Sequence, residues 1–274
     1  VRRDLFYGWV VVGITVATLL ISAGIRAAPG VLIVPLEADT GWSRGTLSFA
    51  VSIGLLLFGL AGPLAGWLVD KYGPRRVMLA GLALMVVSMA ISAVVRESWQ
   101  LVLIWGGLSG LATGLAGAVL GTAVASRWFV ARRGLVVGMF GAATSAGQLI
   151  FLPAIAGLAL AVGWRGATFA LAVFAIVLIP AVFLLMRDSP ADVGRYPYGL
   201  TSAPPAPPAP PPGGIMAVAL RTPAFWLLSG TFFICGATSN GLVGTHFVPH
   251  AIENGIAQGA AVGALALMGM MNFV

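Results

Sequence analysis

The chain is built of long apolar runs separated by short polar breaks. The runs lie at about 8–34, 45–69, 75–95, 99–124, 134–161, 165–186, 222–249 and 258–274. A helix that crosses a bilayer needs about 20 apolar residues, within a range of roughly 17 to 25. The first seven runs meet that length, and the eighth is still apolar where the sequence stops at Val274. The breaks collect turn formers and charges, as in Gly41-Trp42-Ser43-Arg44 and Lys71-Tyr72-Gly73-Pro74-Arg75-Arg76. The pattern predicts an all-α membrane protein. In this reading residues 1–186 form a six-helix bundle, 187–221 a linker, and 222–274 the start of a second bundle, with a seventh helix and a truncated eighth. The chain opens on Val1 without a methionine and ends inside an apolar run, so it reads as a fragment.

Composition sharpens the class. Hydrophobic residues make up 59% and charged residues 8%, against about 25% charged in soluble domains. The net charge of +7 is therefore not a nucleic-acid footprint but a topology signal. With the N-terminus inside, the inner segments hold Arg2, Arg3, Lys71, Arg75, Arg76, Arg127, Arg132, Arg133, Arg187, Arg195 and Arg221, while the outer ones hold Arg44, Arg96 and Arg165. The positive-inside rule then predicts a multi-pass protein of a plasma or bacterial-type inner membrane with a cytoplasmic N-terminus. The one lysine lies outside any G-x-x-x-x-G-K-[ST] loop, so no ATP site is expected. No cofactor and no metal are expected, and the single Cys235 forms no disulfide framework. The proline-dense stretch Ala203–Gly214 predicts a polyproline spacer on the cytoplasmic side.

The break between the second and third runs carries the most chemistry: Gly66-Trp67-Leu68-Val69-Asp70-Lys71-Tyr72-Gly73-Pro74-Arg75-Arg76. Gly73 and Pro74 make the turn. Gly66 leaves room for a neighbouring helix. Asp70 sits at a helix C-terminus, where the dipole disfavours an anion. It therefore requires a cation from Arg75, Arg76 or the basic loop after Ser126. The pattern G-x-x-x-D-x-x-G-x-R-R resembles the signature hairpin of the major facilitator superfamily of secondary transporters.

Further elements narrow the resemblance. Asp4-Leu5-Phe6-Tyr7-Gly8-Trp9 opens the first run, and Arg127-Trp128-Phe129-Val130-Ala131-Arg132-Arg133-Gly134 opens the fifth. With Gly73-Pro74-Arg75, these look like the monocarboxylate-transporter-like branch, which borders the oxalate/formate antiporters. The resemblance implies alternating-access transport of a small organic anion, a mono- or dicarboxylate, with a coupled proton or counter-anion and no enzymatic activity. It also implies that Gly66, Asp70, Gly73, Arg75 and Arg76 act as a conformational-switch hairpin. Two departures argue against a drug:proton antiporter: Trp105-Gly106-Gly107 stands where many carry an arginine, and the fifth run lacks the Gly-Pro-x-x-Gly-Gly element.

Candidate substrate contacts are the polar residues inside the runs. Arg26 is the one formal charge well within a span, seven to eight residues from the expected outer end of its helix. An intramembrane arginine faces a cavity or a partner, or snorkels to the headgroups. A shift of 214 residues superimposes Gly30, Val34, Pro35 and Gly41 on Gly244, Val248, Pro249 and Gly255, and Asp39 on Glu253. It places Arg26 on Asn240, so both half-positions are polar, as suits repeated bundle halves. His246 and Gln148 complete the candidate substrate-binding set. Both also suit interhelical hydrogen bonding.

Two other classes fit parts of the sequence. Gly107-Leu108-Ser109-Gly110 matches the serine motif of rhomboid intramembrane proteases. Its glycines equally extend a packing stripe through Gly106, Gly110, Gly114, Gly117 and Gly121. A membrane sensor on a transporter scaffold shares every feature except flux.

Overall fold

The computed structural model describes residues 6–202 and 218–271, with only the backbone described for Asn240 and for 269–271. The proline run of the expected spacer lies outside the described residues. Among the described residues, six helical stretches are long and apolar enough to cross a membrane. We number the helices α1 Gly8–Thr40, α2 Arg44–Tyr72, α3 Pro74–Ser92 and α4 Ser98–Trp128. The next stretch, Arg133–Leu185, is 53 residues long but turns at Gly163 (φ 74°, ψ 169°), a conformation open only to glycine. We therefore treat it as two limbs, α5 (133–162) and α6 (164–185). α7 is Pro223–Glu253 and α8 is Gln258–Met271.

The eight expected runs thus correspond to eight helices among the described residues, the last, α8, shorter than a full span. One boundary differs. The apolar pattern ends the first run near residue 34, yet α1 continues through Pro35, Glu37 and Asp39 to Thr40. Pro29 and Pro35 both sit inside it. Proline is tolerated in a membrane helix because neighbours satisfy the freed backbone groups. The extension places Arg26 fourteen residues short of the helix end, roughly 21 Å at 1.5 Å per residue. Arg26 therefore lies farther from the end of its helix than the apolar run implies.

α1 packs on α5, and α3 packs on the 53-residue stretch at the α6 limb. α2 packs along α4. At the α1–α5 contact, Gly24 faces the Phe151 ring and Gly147 faces the Leu20 carbonyl. A single apolar core of the first six helices runs from Val11 to Met186. A second, smaller core joins Val31, Leu152 and Ala156 of the first bundle to Val248, Ala251, Ala261, Val262 and Leu265 of α7 and α8. The two bundles touch there, toward the end of the molecule that carries Arg44. At the opposite, Asp70 end, no residue of Pro223–Cys235 is buried.

The segment after α6 is not a free spacer from its first residue. Tyr198 pairs with Phe129 in an isolated parallel bridge, with Tyr198 N–H to Trp128 O at 2.8 Å. Its ring meets Phe6 (5.3 Å between centroids) and Phe129 (5.7 Å). Trp9 meets Phe129 at 5.2 Å. The two aromatic motifs at the starts of the first and fifth runs thus pack on each other. Between them they hold the beginning of the linker against the bundle.

Candidate functional site

Two cavities meet at Arg26. The larger, about 650 Å³, lies between the bundles and is lined by Arg26, Gln148, Cys235, Ser239, Thr245 and Met268, among others. The smaller, about 40 Å³, lies inside the first bundle behind Arg26, with Phe58, Trp105, Ser109, Thr113 and Thr168 on its wall. Arg26 is the only charged residue on either wall among the described residues. The side chain is half-buried, and its guanidinium lies 5.1 Å from the Phe58 ring centroid. Among the described residues, no carboxylate is paired with it.

Both walls include a helical segment with widened hydrogen-bond spacing. Val102–Ser109 in α4 and Gly236–Val243 in α7 are π-helical. Such segments are rare and concentrate at functional sites, because they re-aim the side chains that follow. They carry Trp105 and Ser109 toward the small cavity and Ser239 toward the large one.

Of the candidate substrate contacts, Arg26 and Gln148 share the large cavity. His246 is half-buried and falls outside the lining, which passes through its neighbour Thr245. The side chain of Asn240 lies outside the described residues, and its backbone is part of the widened α7 segment. Ser239 and Thr245 are legible in the sequence only as polar residues near Asn240. Phe58 gives no signal there, being one of 14 phenylalanines. Ser109 of the protease-like motif sits beside a tight helix crossing. A Cβ on Gly110 would lie 2.5 Å from the Gly54 carbonyl oxygen, so the glycine there serves packing.

The hairpin is a junction of four helices. Asp70 is exposed, and Arg127 Nη2 at the end of α4 lies 3.5 Å from its Oδ1. The same Nη2 donates to Val69 O at 2.9 Å. Of the expected sources, the segment after Ser126 thus supplies the cation, through Arg127, which lies in the last turn of α4 rather than in a loop. Arg76 is exposed. Arg75 turns toward α6: its guanidinium donates to Phe183 O and lies 5.0 Å from the Phe183 ring centroid. Its backbone N–H donates to Asp188 Oδ1 at 2.8 Å. Asp188 therefore caps the start of α3, where the helix dipole favours an anion. Gly73 has φ 84°, and any Cβ there would run into the Asp188 carboxylate. Gly66 is in looser surroundings: a Cβ added to it would lie 3.8 Å from the Val119 side chain, an ordinary contact. The closest α2–α4 approaches fall nearer the middle of the helices.

Unequal stability effects follow. An exposed ion pair contributes about 0–1 kcal/mol, whereas losing a helix cap costs about 0.5–2 kcal/mol. Asp188→Ala is expected to lower the melting temperature of the full-length protein in detergent more than Asp70→Asn does. Equal shifts, or a larger one for Asp70→Asn, would remove Asp188 from the cap role.

The Arg44 end carries a second set of charges. Arg44 grips Glu37 with two bonds, Nε–Oε1 at 2.9 Å and Nη2–Oε2 at 2.8 Å. Through Nη1 it also pairs with Glu253 at the end of α7. The first pair lies within the first bundle, and the second crosses between bundles. Beneath them, a Cβ on Gly30 would run into the carbonyl oxygen of Gly244. Asp39, the sequence counterpart of Glu253, accepts instead from Trp164 Nε1 at 2.8 Å.

Comparison with known proteins agrees with this architecture. Residues 14–274 match the family model of the Major Facilitator Superfamily. Human "Monocarboxylate transporter 11" is 30% identical over 267 residues, covering 96% of this chain and 54% of that protein. The "Oxalate:formate antiporter" of Oxalobacter formigenes is 26% identical over 260 residues, covering 94% and 58%. A solved D-xylose–proton symporter superposes with a TM-score of 0.68 at 16% identity, over 97% of this chain and 67% of that one. The chain spans a little over half the length of these two curated relatives. It belongs to the major facilitator superfamily.

Proposed function

We propose that the chain is the substrate-holding part of a secondary transporter that moves a small organic anion by alternating access, with Arg26 as the anion's counter-charge. The observation that carries this reading is the isolated guanidinium on the wall of the inter-bundle cavity. A charge near the middle of a membrane helix costs about 2.5–3.5 kcal/mol on insertion scales, so an arginine kept there without a carboxylate is poised for an anionic ligand. A guanidinium matches a carboxylate with two parallel donors. Gln148, Ser239 and Thr245 supply neutral hydrogen-bonding groups across the cavity, as a polar organic acid requires. The names of the relatives, a monocarboxylate transporter and an oxalate:formate antiporter, fit the same substrate class.

In this reading the charge distribution of the loops puts the Arg44 end outside and the Asp70 end in the cytoplasm. The Arg44 end is then closed to the outside, through Arg44–Glu253 and the small apolar core. Opening outward breaks the Arg44–Glu253 pair but leaves Arg44–Glu37 intact. The Asp70–Arg127 pair lies within the first bundle, so in the converse role the hairpin reaches the second bundle when the site faces out. A proton or a counter-anion would couple the cycle.

The test is thermal stabilisation of the purified full-length protein by short carboxylates, against amides and amines of the same size. A ligand at 100 times its Kd stabilises by about 2.7 kcal/mol. Stabilisation by carboxylates alone is expected, followed by uptake of the same compounds in proteoliposomes. Stabilisation by amines, or binding without flux, would overturn the reading.

A further inference from the structure

We propose that Phe58 is the positioning residue of the site: its ring face holds the Arg26 guanidinium toward the cavity without neutralising it. This rests on Arg26 as the anion ligand. An aromatic face attracts a cation through its quadrupole but carries no net charge. A carboxylate in the same place would compete with an anionic substrate. A water-filled space would let the side chain wander. The π-face orients the cation and leaves its donors available.

The fold fixes the ring by its backbone. Three glycines of α4, spaced by four, draw α2 in. A Cβ on Gly106 would lie 3.1 Å from Ala50 O, one on Gly110 2.5 Å from Gly54 O, and one on Gly114 2.8 Å from Phe58 O. Gly114 thus abuts the backbone of Phe58 itself. Gly117 faces the ring edge: a Cβ on it would lie 3.6 Å from Phe58 Cε2. The glycine stripe that resembles a protease motif therefore has a purpose at this site. It seats Phe58, and Phe58 seats Arg26. Both residues wall the 40 Å³ cavity behind the guanidinium, so removing the ring enlarges the space into which Arg26 can swing.

The test uses the full-length protein with L-lactate and oxalate as probes. A cation–π contact is worth about 0.5–2 kcal/mol, which converts to roughly 2- to 30-fold in affinity. Phe58→Leu should raise Kd and KM by that factor and leave kcat near wild type. Phe58→Trp should keep wild-type affinity. Stepwise fluorination of Phe58 by site-specific incorporation keeps the ring's shape and drains its negative face. Log affinity should then fall with each added fluorine, an effect that packing alone does not produce. Fluorinated variants also settle the matter if Phe58→Leu does not fold. Affinity independent of fluorination, with binding still lost in Arg26→Ala, would overturn the role of Phe58 only. Unchanged binding in Arg26→Ala would overturn the anion reading and this role with it.

Discussion

Arg26→Ala is expected to nearly abolish carboxylate binding by the full-length protein, and Arg26→Lys to restore only part of it. The reason is position. Arg26 lies within an apolar helix and borders one cavity inside the first bundle and another between the bundles. An anion brought there without a counter-charge would sit in a low-dielectric space. Truncating one partner of a buried, hydrogen-bonded charge pair costs about 2–5 kcal/mol, or about 30-fold to several thousand-fold in Kd. Lysine keeps the charge but loses the planar fork that matches a carboxylate and the stacking on Phe58. A snorkelling arginine behaves differently, because lysine snorkels as well. Isothermal titration with the best carboxylate from the thermal screen separates the two. Wild-type affinity in Arg26→Lys, with normal expression, would decide for snorkelling.

Much of this site is legible in the sequence alone. Apolar run lengths place the helices because the bilayer sets a length scale that local sequence must meet. Gly73 and Pro74 mark the hairpin, and one arginine among apolar residues marks the cavity. What escapes depends on pairs far apart in the chain. Glu37 and Asp39 read as a polar break, whereas Arg44 and Trp164 satisfy them and let α1 continue to Thr40. Asp188 looks like a linker residue, yet it caps a helix 113 positions earlier in the chain. Arg44 and Glu253 are 209 positions apart, and no local pattern predicts that they meet. Phe58 is informative only through what its face touches. The repeat does align Asp39 with Glu253, but the two carboxylates take different partners, so the symmetry is one of position rather than of contacts.

Wedging the Arg44 end open is the second large effect. Gly30 of α1 meets the Gly244 carbonyl of α7 so closely that even a methyl group collides with backbone rather than with a side chain that can yield. Gly30→Val should therefore separate the two helices there. The separation also pulls apart Val31 and Val248 of the small core and breaks the Arg44–Glu253 pair. Overpacking of this kind costs about 1–3 kcal/mol. The cost falls on the closed conformation alone, so the protein relieves it by opening that end. Each 1.4 kcal/mol moves such an equilibrium about tenfold, so transport should drop by about one to two orders of magnitude while substrate binding survives. Glu253→Gln should do much less, because an exposed pair contributes at most about 1 kcal/mol. Cys235 on the cavity wall supplies the reporter, with other cysteines of the full-length protein removed. In intact cells an impermeant thiol reagent should label it slowly in wild type and rapidly in Gly30→Val. Gly30→Ala should fall between, since its single methyl meets the same carbonyl with less bulk beyond it. Wild-type transport together with unchanged protection of Cys235 in Gly30→Val would show that closure of the bundles does not pass through this contact.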